Sequence, residues 1–232
     1  MILKELKKFL TIEQICAVWP PKVNGQKRLK KIKKSIYLIS PEKIENKNFF
    51  KDLELVLKTK KVSHFQLRLK KNKFKKIISI GKKIQNICKK NKVKFIVNDY
   101  PLAAKTIGAD GCHIGQSDGS IKNARKILKN KILGVTCHNS KKLIRKAINE
   151  GADYIAIGAF YSSKTKKIRF KATIKLLLEV KKFTKVPIVA IGGINSKNYK
   201  KLLLNKANFL AISSYIWKNK KLNPVEAIRI LK

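Results

Sequence analysis

Eight short β-rich runs recur along the chain, and a longer lysine-rich segment with helical spacing follows most of them. The runs are SIYLIS (35–40), HFQLRLK (64–70), KFIVND (94–99), GCHIGQ (111–116), ILGVTCH (132–138), YIAIGAF (154–160), PIVAIGG (187–193) and FLAISSYI (209–216). The spacing predicts helices around 72–91, 119–129, 140–150, 170–184 and 195–204. The segment between the third and fourth runs has room only for a short helix. Alternation of strand and helix implies a parallel sheet. Eight units suggest closure into a (β/α)8 TIM barrel of the α/β class. The alternative is an open doubly wound sheet, but no GxGxxG follows the first run, which weakens its dinucleotide-binding version.

A weak internal repeat supports the βα series. GADGCHIG, GADYIAIG and KANFLAIS each place a helix-ending turn before a small-residue strand. Gly108 and Gly151 suit the left-handed position that ends a helix. The barrel is expected over 35–232 as one domain. Residues 1–34 stand outside the series as a short basic extension. Ile2, Leu3, Leu6, Phe9 and Leu10 fall on one helical face, and QKRLKKIKK follows. A helix that packs on the barrel plus a solvated linker is the expectation. A membrane-surface anchor or targeting segment is the alternative, although the arginine and serine richness of a transit peptide is missing.

The chain of 232 residues carries 56 Lys+Arg against 13 Asp+Glu, a formal net charge of +43. Such a charge admits a nucleic-acid or anionic-membrane binder. The lysines spread along most of the chain, where exposed helix faces would lie. No RNP motif, zinc-finger spacing or helix-turn-helix accompanies them. A lysine-biased composition is the preferred reading, with no specific nucleic-acid partner. No apolar run approaches the ~18 residues of a membrane span. Cys16, Cys88, Cys112 and Cys137 are widely spaced, with no CxxC pair. Reduced thiols and a cytoplasmic location are expected.

In such a barrel the chemistry lies at the C-terminal ends of the strands. Gln66, Arg68 and Lys70 alternate, so they share one side of the second run. The opposite side, Phe65, Leu67 and Leu69, is apolar and belongs beneath helices. The polar side then faces the mouth as an anion site. The third run ends in Asn98 and Asp99, the fourth in Gly115-Gln116-Ser117-Asp118. Asp110 and Asp153 belong to the GAD turns, where a cap or turn role is the default. Asp99 and Asp118 remain, on neighbouring strands. Two such oxygen ligands suit Mg²⁺, which takes one or two carboxylates plus substrate phosphate. Later runs lead into Thr136-Cys137-His138, Ser162–Lys166, Gly192-Gly193 and Ser213-Ser214. Asn195 or Ser196 could cap a helix. The loops after strands seven and eight form the recurrent phosphate site of these barrels. Two anion sites follow, one for a pyrophosphate and one for a monophosphate. His64, His113 and His138 lack ligand spacing for zinc. His64 is expected on the bottom face. Cys137 and His138 point to opposite faces, which argues against a nucleophile pair.

Taken together, QLRLK, FIVNDY, GADGCHIGQSD, LGVTCH, GADYIAIGAFYSSKTK, IVAIGGI and AISS resemble the thiamine-phosphate synthase family over roughly 35–217. The resemblance implies a (β/α)8 barrel and Mg²⁺. It implies coupling of a hydroxymethylpyrimidine diphosphate to a thiazole monophosphate, with release of pyrophosphate. The implied chemistry is dissociative: pyrophosphate leaves first, and the thiazole nitrogen captures the pyrimidine methylene cation. By resemblance, Gln66, Arg68, Lys70 and Asn98 hold the pyrimidine diphosphate, with Asn98 toward its amine. Asp99 and Asp118 bind Mg²⁺. Thr136 stands where the family places a hydroxyl near the pyrimidine, and Lys166 contacts the pyrophosphate. Thr136 and Lys166 are the catalytic candidates. Ser163 and Thr165 contact the thiazole phosphate, with Gly192 or Gly193 and the Ser213-Ser214 backbone completing the nest.

The family's loop after strand six reads close to Gly-Pro-x-x-Pro-Thr-x-Thr-Lys. Here it is Gly158-Ala159-Phe160-Tyr161-Ser162-Ser163-Lys164-Thr165-Lys166. Both prolines are missing and one threonine is serine, so the thiazole-phosphate contact is the most altered. Leu69 replaces a common acid at a position facing away from the site. A sister group, thiazole tautomerases, shares the fold but lacks the full QLRxK pattern; Lys70, Asp99 and Asp118 favour the synthase. A degenerate barrel that only binds polyanions is a further alternative, with steep salt dependence as its signature. A barrel isomerase would need a general base in the mouth, and the sequence offers no convincing Glu or His. A homo-oligomer is compatible with this reading.

Overall fold

Strand and helix alternate as the periods require, and the sheet closes on itself. The computed structural model describes residues 35–44, 48–70, 72–162 and 169–231. The expected extension over 1–34, and Ser163, Thr165 and Lys166, lie outside these residues. Eight parallel strands run β1 Ile36–Ile39, β2 Val62–Leu67, β3 Lys94–Asn98, β4 Gly111–Ile114, β5 Ile132–His138, β6 Tyr154–Gly158, β7 Ile188–Ile191 and β8 Phe209–Ile212. Each pairs with the next, and β8 pairs back onto β1, giving a closed (β/α)8 barrel. The helices are α1 Phe49–Lys58, α2 Phe74–Lys90, α3 Pro101–Ile107, α4 Ile121–Leu128, α5 Lys141–Asn149, α6 Ile174–Phe183, α7 Tyr199–Leu204, α8 Ser214–Trp217 and α9 Pro224–Ile230.

Alternation along the strands separates two environments. Leu38, Phe65, Leu67, Phe95, Val97, Leu133, Val135, Ile155 and Ile157 point outward and join the core beneath the helices. Their neighbours Tyr37, Gln66, Asn98, His113, Thr136, Tyr154 and Ala156 point inward and line the barrel's upper cavity. Both faces of most strands are therefore buried, which is why the runs read as nearly continuous apolar stretches. Leu69 sits in the outer core, away from the mouth.

The helices cover the sheet with one apolar stripe each. In α2, Ile77, Gly81, Ile84 and Cys88 are buried at spacings of three and four, while Lys75, Lys76, Lys82, Lys83, Lys89 and Lys90 face solvent. That distribution fits the lysine-biased reading. Ser120, Ser140 and Thr173 cap α4, α5 and α6 through their side-chain oxygens. The cap of α7 is Asn198, not Asn195 or Ser196. Asn195 instead accepts from Lys197 N and receives no helical position. Among the described residues no helix is long and apolar enough to cross a membrane.

The repeat has a physical basis. Asp110 N donates to Phe95 O at 2.9 Å while its carboxylate accepts from Phe95 N at 2.8 Å. Asp153 makes the same pair of bonds with Leu133, and Asn208 with Ile188. Each is a clamp that ties the start of one strand to the start of another. Gly108 (φ 77°), Gly151 (φ 90°) and Lys206 (φ 71°) provide the left-handed turn two residues earlier.

Candidate active site

The strands deliver their last polar residues to one cavity of about 650 Å³ at the C-terminal end of the barrel. Gln66, Arg68, Lys70, Asn98, Asp99, Asp118, Thr136, Gly192, Gly193, Ser213 and Ser214 all line it. So every expected site residue that the structure describes is brought together. β2 ends at Leu67, so Arg68 and Lys70 reach the mouth from the loop beyond it. The eighth run is also shorter than its sequence suggests. β8 stops at Ile212, and Ser214–Trp217 turn into a single helical turn. Trp217 Nε1 donates to Ile39 O at 2.7 Å and Ser213 Oγ to Ser40 O at 3.1 Å, which fastens this turn to β1.

Asp99 occupies a left-handed backbone conformation, φ 67°. Few non-glycine residues do so, and such strain concentrates at functional positions. Its amide donates to His113 O at 2.7 Å, which holds it at the junction of β3 and β4. Lys70 Nζ lies 3.4 Å from Asp99 Oδ2. Asp118 accepts from Gly115 N at 2.9 Å, and its carboxyl neighbours that of Asp99. Burial, then the neighbouring Asp118 carboxyl, lifts Asp99 to about 6 in spite of Lys70. Two acids held together this way lack positive charge. Among the described residues no three His, Cys, Asp or Glu gather in one place. A cation here would draw its remaining oxygens from substrate and water, which suits Mg²⁺ better than a caged transition metal.

Across the cavity, Gly192 (φ 105°) and Gly193 (φ 61°) follow β7. A Cβ on Gly192 would fall on Ala159 Cβ, and one on Gly193 on the carbonyl oxygens of Tyr161 and Ser162. Only glycine allows this backbone to run so close to the loop after β6. Bare backbone thus faces the cavity opposite the acids.

Several residues at the cavity escape a reading of the sequence. Tyr37, His113 and Tyr154 are buried and hydrogen-bonded within the barrel, and all line its floor. His113 contacts Thr136 Oγ1 at 2.7 Å. A histidine does therefore face the mouth, but burial holds it down at about 4, so it is neutral at pH 7. His64 stacks on Tyr37 with centroids 5.4 Å apart and meets the Phe209 ring at 4.9 Å, buried inside the barrel near the starts of β3 and β8, toward its lower end. His138 lines the cavity while Cys137 is buried outward, as their adjacency requires. Phe170 stacks on His138 at 4.4 Å, and Arg169 beside it also lines the cavity. The signal for the tyrosines was their register: Tyr37 lies between Ile36 and Leu38, and Tyr154 precedes Ile155, all of which point outward.

Comparison with known proteins agrees with this geometry. Residues 36–216 match the family profile described as thiamine monophosphate synthase. The chain is 64% identical over 200 residues to a thiamine-phosphate synthase of Pelagibacter ubique, covering 86% of this chain and 97% of that one. It is 39% identical over 197 residues to that of Erythrobacter litoralis, covering 83% and 92%. Among solved structures, a thiamine phosphate pyrophosphorylase from Pyrococcus furiosus superposes with a TM-score of 0.76 at 25% identity, covering 88% of this chain and 95% of that one. On its sequence, its closed barrel and the residues at its mouth, the chain belongs to the thiamine monophosphate synthase family.

Proposed function

We propose that this chain is a thiamine-phosphate synthase, coupling hydroxymethylpyrimidine diphosphate to thiazole phosphate with release of pyrophosphate and with Mg²⁺ bound by Asp99 and Asp118. One observation carries the reading. A single cavity has an acid pair beside Gln66, Arg68, Lys70 and Asn98 on one side and the Gly192-Gly193 backbone on the other. A reaction that joins a diphosphate ester to a monophosphate ester needs two anion sites facing one reacting centre.

Each group has a task in this reading. Arg68 and Lys70 hold the diphosphate, and Gln66, Asn98 and Thr136 orient the pyrimidine. Gly192, Gly193 and the Ser213-Ser214 backbone receive the thiazole phosphate. Ser163, Thr165 and Lys166 complete the two phosphate contacts. Mg²⁺, when bound, neutralises charge on the departing pyrophosphate. Fixed cations and backbone donors stabilise developing charge without reorganising. The apolar lower walls, Ala156, Val189 and Ala211, exclude water from the reacting carbon. The enzyme is a transferase acting on small molecules, and a cytoplasmic location fits that chemistry.

Single-turnover release of pyrophosphate from both substrates, with and without Mg²⁺, tests the reading. Mg²⁺-dependent release coupled to thiamine phosphate is expected, and Asp99→Asn and Asp118→Asn should each slow it severely. Interconversion of thiazole isomers without coupling would assign the chain to the tautomerases instead.

A further inference from the structure

A row of hydrogen-bonded side chains crosses the barrel just below the cavity. Gln66 Nε2 donates to Tyr37 Oη at 3.2 Å. Tyr37 Oη lies 2.7 Å from Tyr154 Oη. Tyr154 Oη lies 2.9 Å from His113 Nδ1, and His113 Nε2 lies 2.7 Å from Thr136 Oγ1. The two rings Tyr154 and His113 stack with centroids 5.5 Å apart. Gly134 makes the arrangement fit, since a Cβ there would enter the Tyr154 ring. An apolar layer would fill the same space with no buried polar groups to satisfy. The row therefore calls for a purpose beyond packing.

Proton counting gives the row a direction. Each hydroxyl has one hydrogen to give. Tyr37 receives from Gln66, so its own hydrogen goes to Tyr154. Tyr154 then gives to His113 Nδ1. The imidazole is enclosed and meets a neutral hydroxyl at each nitrogen, so it carries a single proton. With Nδ1 accepting, that proton sits on Nε2 and points at Thr136 Oγ1. Thr136 accepts it, and its own hydrogen remains for the cavity that it lines.

We infer that Tyr37, Tyr154 and His113 are positioning residues that set Thr136 as a hydrogen-bond donor to the bound pyrimidine. The inference rests on the synthase reading for the identity of the ligand. The ring nitrogens of a pyrimidine are acceptors only. A donating hydroxyl complements them, whereas an accepting one would set lone pair against lone pair. A lone threonine rotor could adopt either role. The relay removes that choice before substrate arrives, which is how preorganised polar groups act.

The test reads the tautomer directly. The full chain, labelled with ¹⁵N and free of ligand, has three histidines, and His113→Gln identifies the signal. Long-range ¹⁵N–¹H correlation should place the His113 proton on Nε2. Tyr154→Phe removes one oxygen and keeps the ring over Gly134. It should move the Nδ1 resonance toward that of an unbonded nitrogen, while Tyr37→Phe leaves Nδ1 bonded. In turnover, Tyr154→Phe should raise KM for the pyrimidine diphosphate about five- to tenfold, with no further rise when Thr136→Val is added. A proton on Nδ1 in the wild-type chain overturns the inference: the row would run the other way, with the Gln66 amide turned over and Thr136 accepting. An Nδ1 resonance unmoved in Tyr154→Phe overturns it as well. An Nε2 proton in a chain that forms no thiamine phosphate upholds the relay's direction and sinks the synthase reading, so the two failures are distinct.

Discussion

At the lower end of the barrel, Asp110 accepts from Phe95 N at 2.8 Å and from Lys94 Nζ at 2.9 Å. At the mouth, Asp99 faces Asp118, with Lys70 at 3.4 Å. The chain has only five aspartates, and four of them are divided between these two ends. Below, each carboxylate meets a backbone N–H and a cation, so its charge is used up in holding strands together. Above, Asp99 has Lys70 on one side and the Asp118 carboxyl on the other in a half-buried place, its pKa is raised, and its backbone is left-handed. An acid that is fully partnered contributes to stability. An acid pair that is left short of positive charge is held for something that arrives later. The same residue type therefore separates the end that maintains the barrel from the end that acts.

The largest effect expected from this contrast is at the mouth. Asp99→Asn or Asp118→Asn should lower kcat by about 10²- to 10³-fold, the usual effect of removing one preorganised charge-stabilising group. Neither should lower the melting temperature measured without metal, because each removes a repulsion. Steady-state rates and thermal melts on the same samples check both parts. A variant that melts earlier yet keeps its turnover would put these acids with the lower clamps.

The converse experiment is at the lower end. Asp110→Ala leaves Phe95 N–H without its partner at the start of β3. It should reduce unfolding free energy by about 2 kcal/mol in a urea titration. The kcat of the folded fraction should stay within twofold or so, because no part of this clamp reaches the cavity. A large loss of kcat with full stability would contradict the division between the two ends.

How much of this was legible beforehand differs between the ends for physical reasons. Asp99 and Asp118 stand out because each is the polar letter that follows an apolar run, and the barrel rule then says what such a letter does. The GAD turns were equally plain as turns. That Asp110 reaches back to Phe95 was not, because the contact spans fifteen residues and is fixed only when β3 and β4 pair. Tyr37, His113 and Tyr154 do not stand out in the sequence, since an aromatic in a β-rich run looks the same whether it packs or donates. Their common purpose exists only across the barrel, between residues up to 117 positions apart. Ser213-Ser214 looked like strand because Tyr215 and Ile216 continue the apolar run. Trp217 anchored on Ile39 O turns that stretch into a helix, a tertiary bond overriding a local preference.

The smallest effect comes from the clamp that departs from its siblings. Asn208 holds Ile188 N at 2.9 Å and Lys181 Nζ at 2.8 Å, as Asp110 and Asp153 hold their partners, but it carries no charge. Burial, with Lys206 nearby, accordingly pushes Lys181 down to about 8. A lysine whose folded pKa is lowered contributes stability that is fully present above its unfolded value, ~10.4, and is lost as pH falls through about 8. So the wild-type chain should lose stability between about pH 10 and pH 8 through this group. Asn208→Asp supplies the missing charge, raises the Lys181 pKa and removes that loss. Partial exposure of Lys181 screens the pair, so the expected gain at pH 7 is only ~1 kcal/mol. The gap between variant and wild type should shrink as pH rises above about 8 toward the unfolded lysine value, because the charge that the aspartate offsets is progressively lost. Urea titrations at pH 7 and pH 10 measure it. A gain that persists undiminished at pH 10 would mean that the aspartate acts through its hydrogen bond to Ile188 N alone. The clamps would then owe their strength to backbone capture and not to their cations.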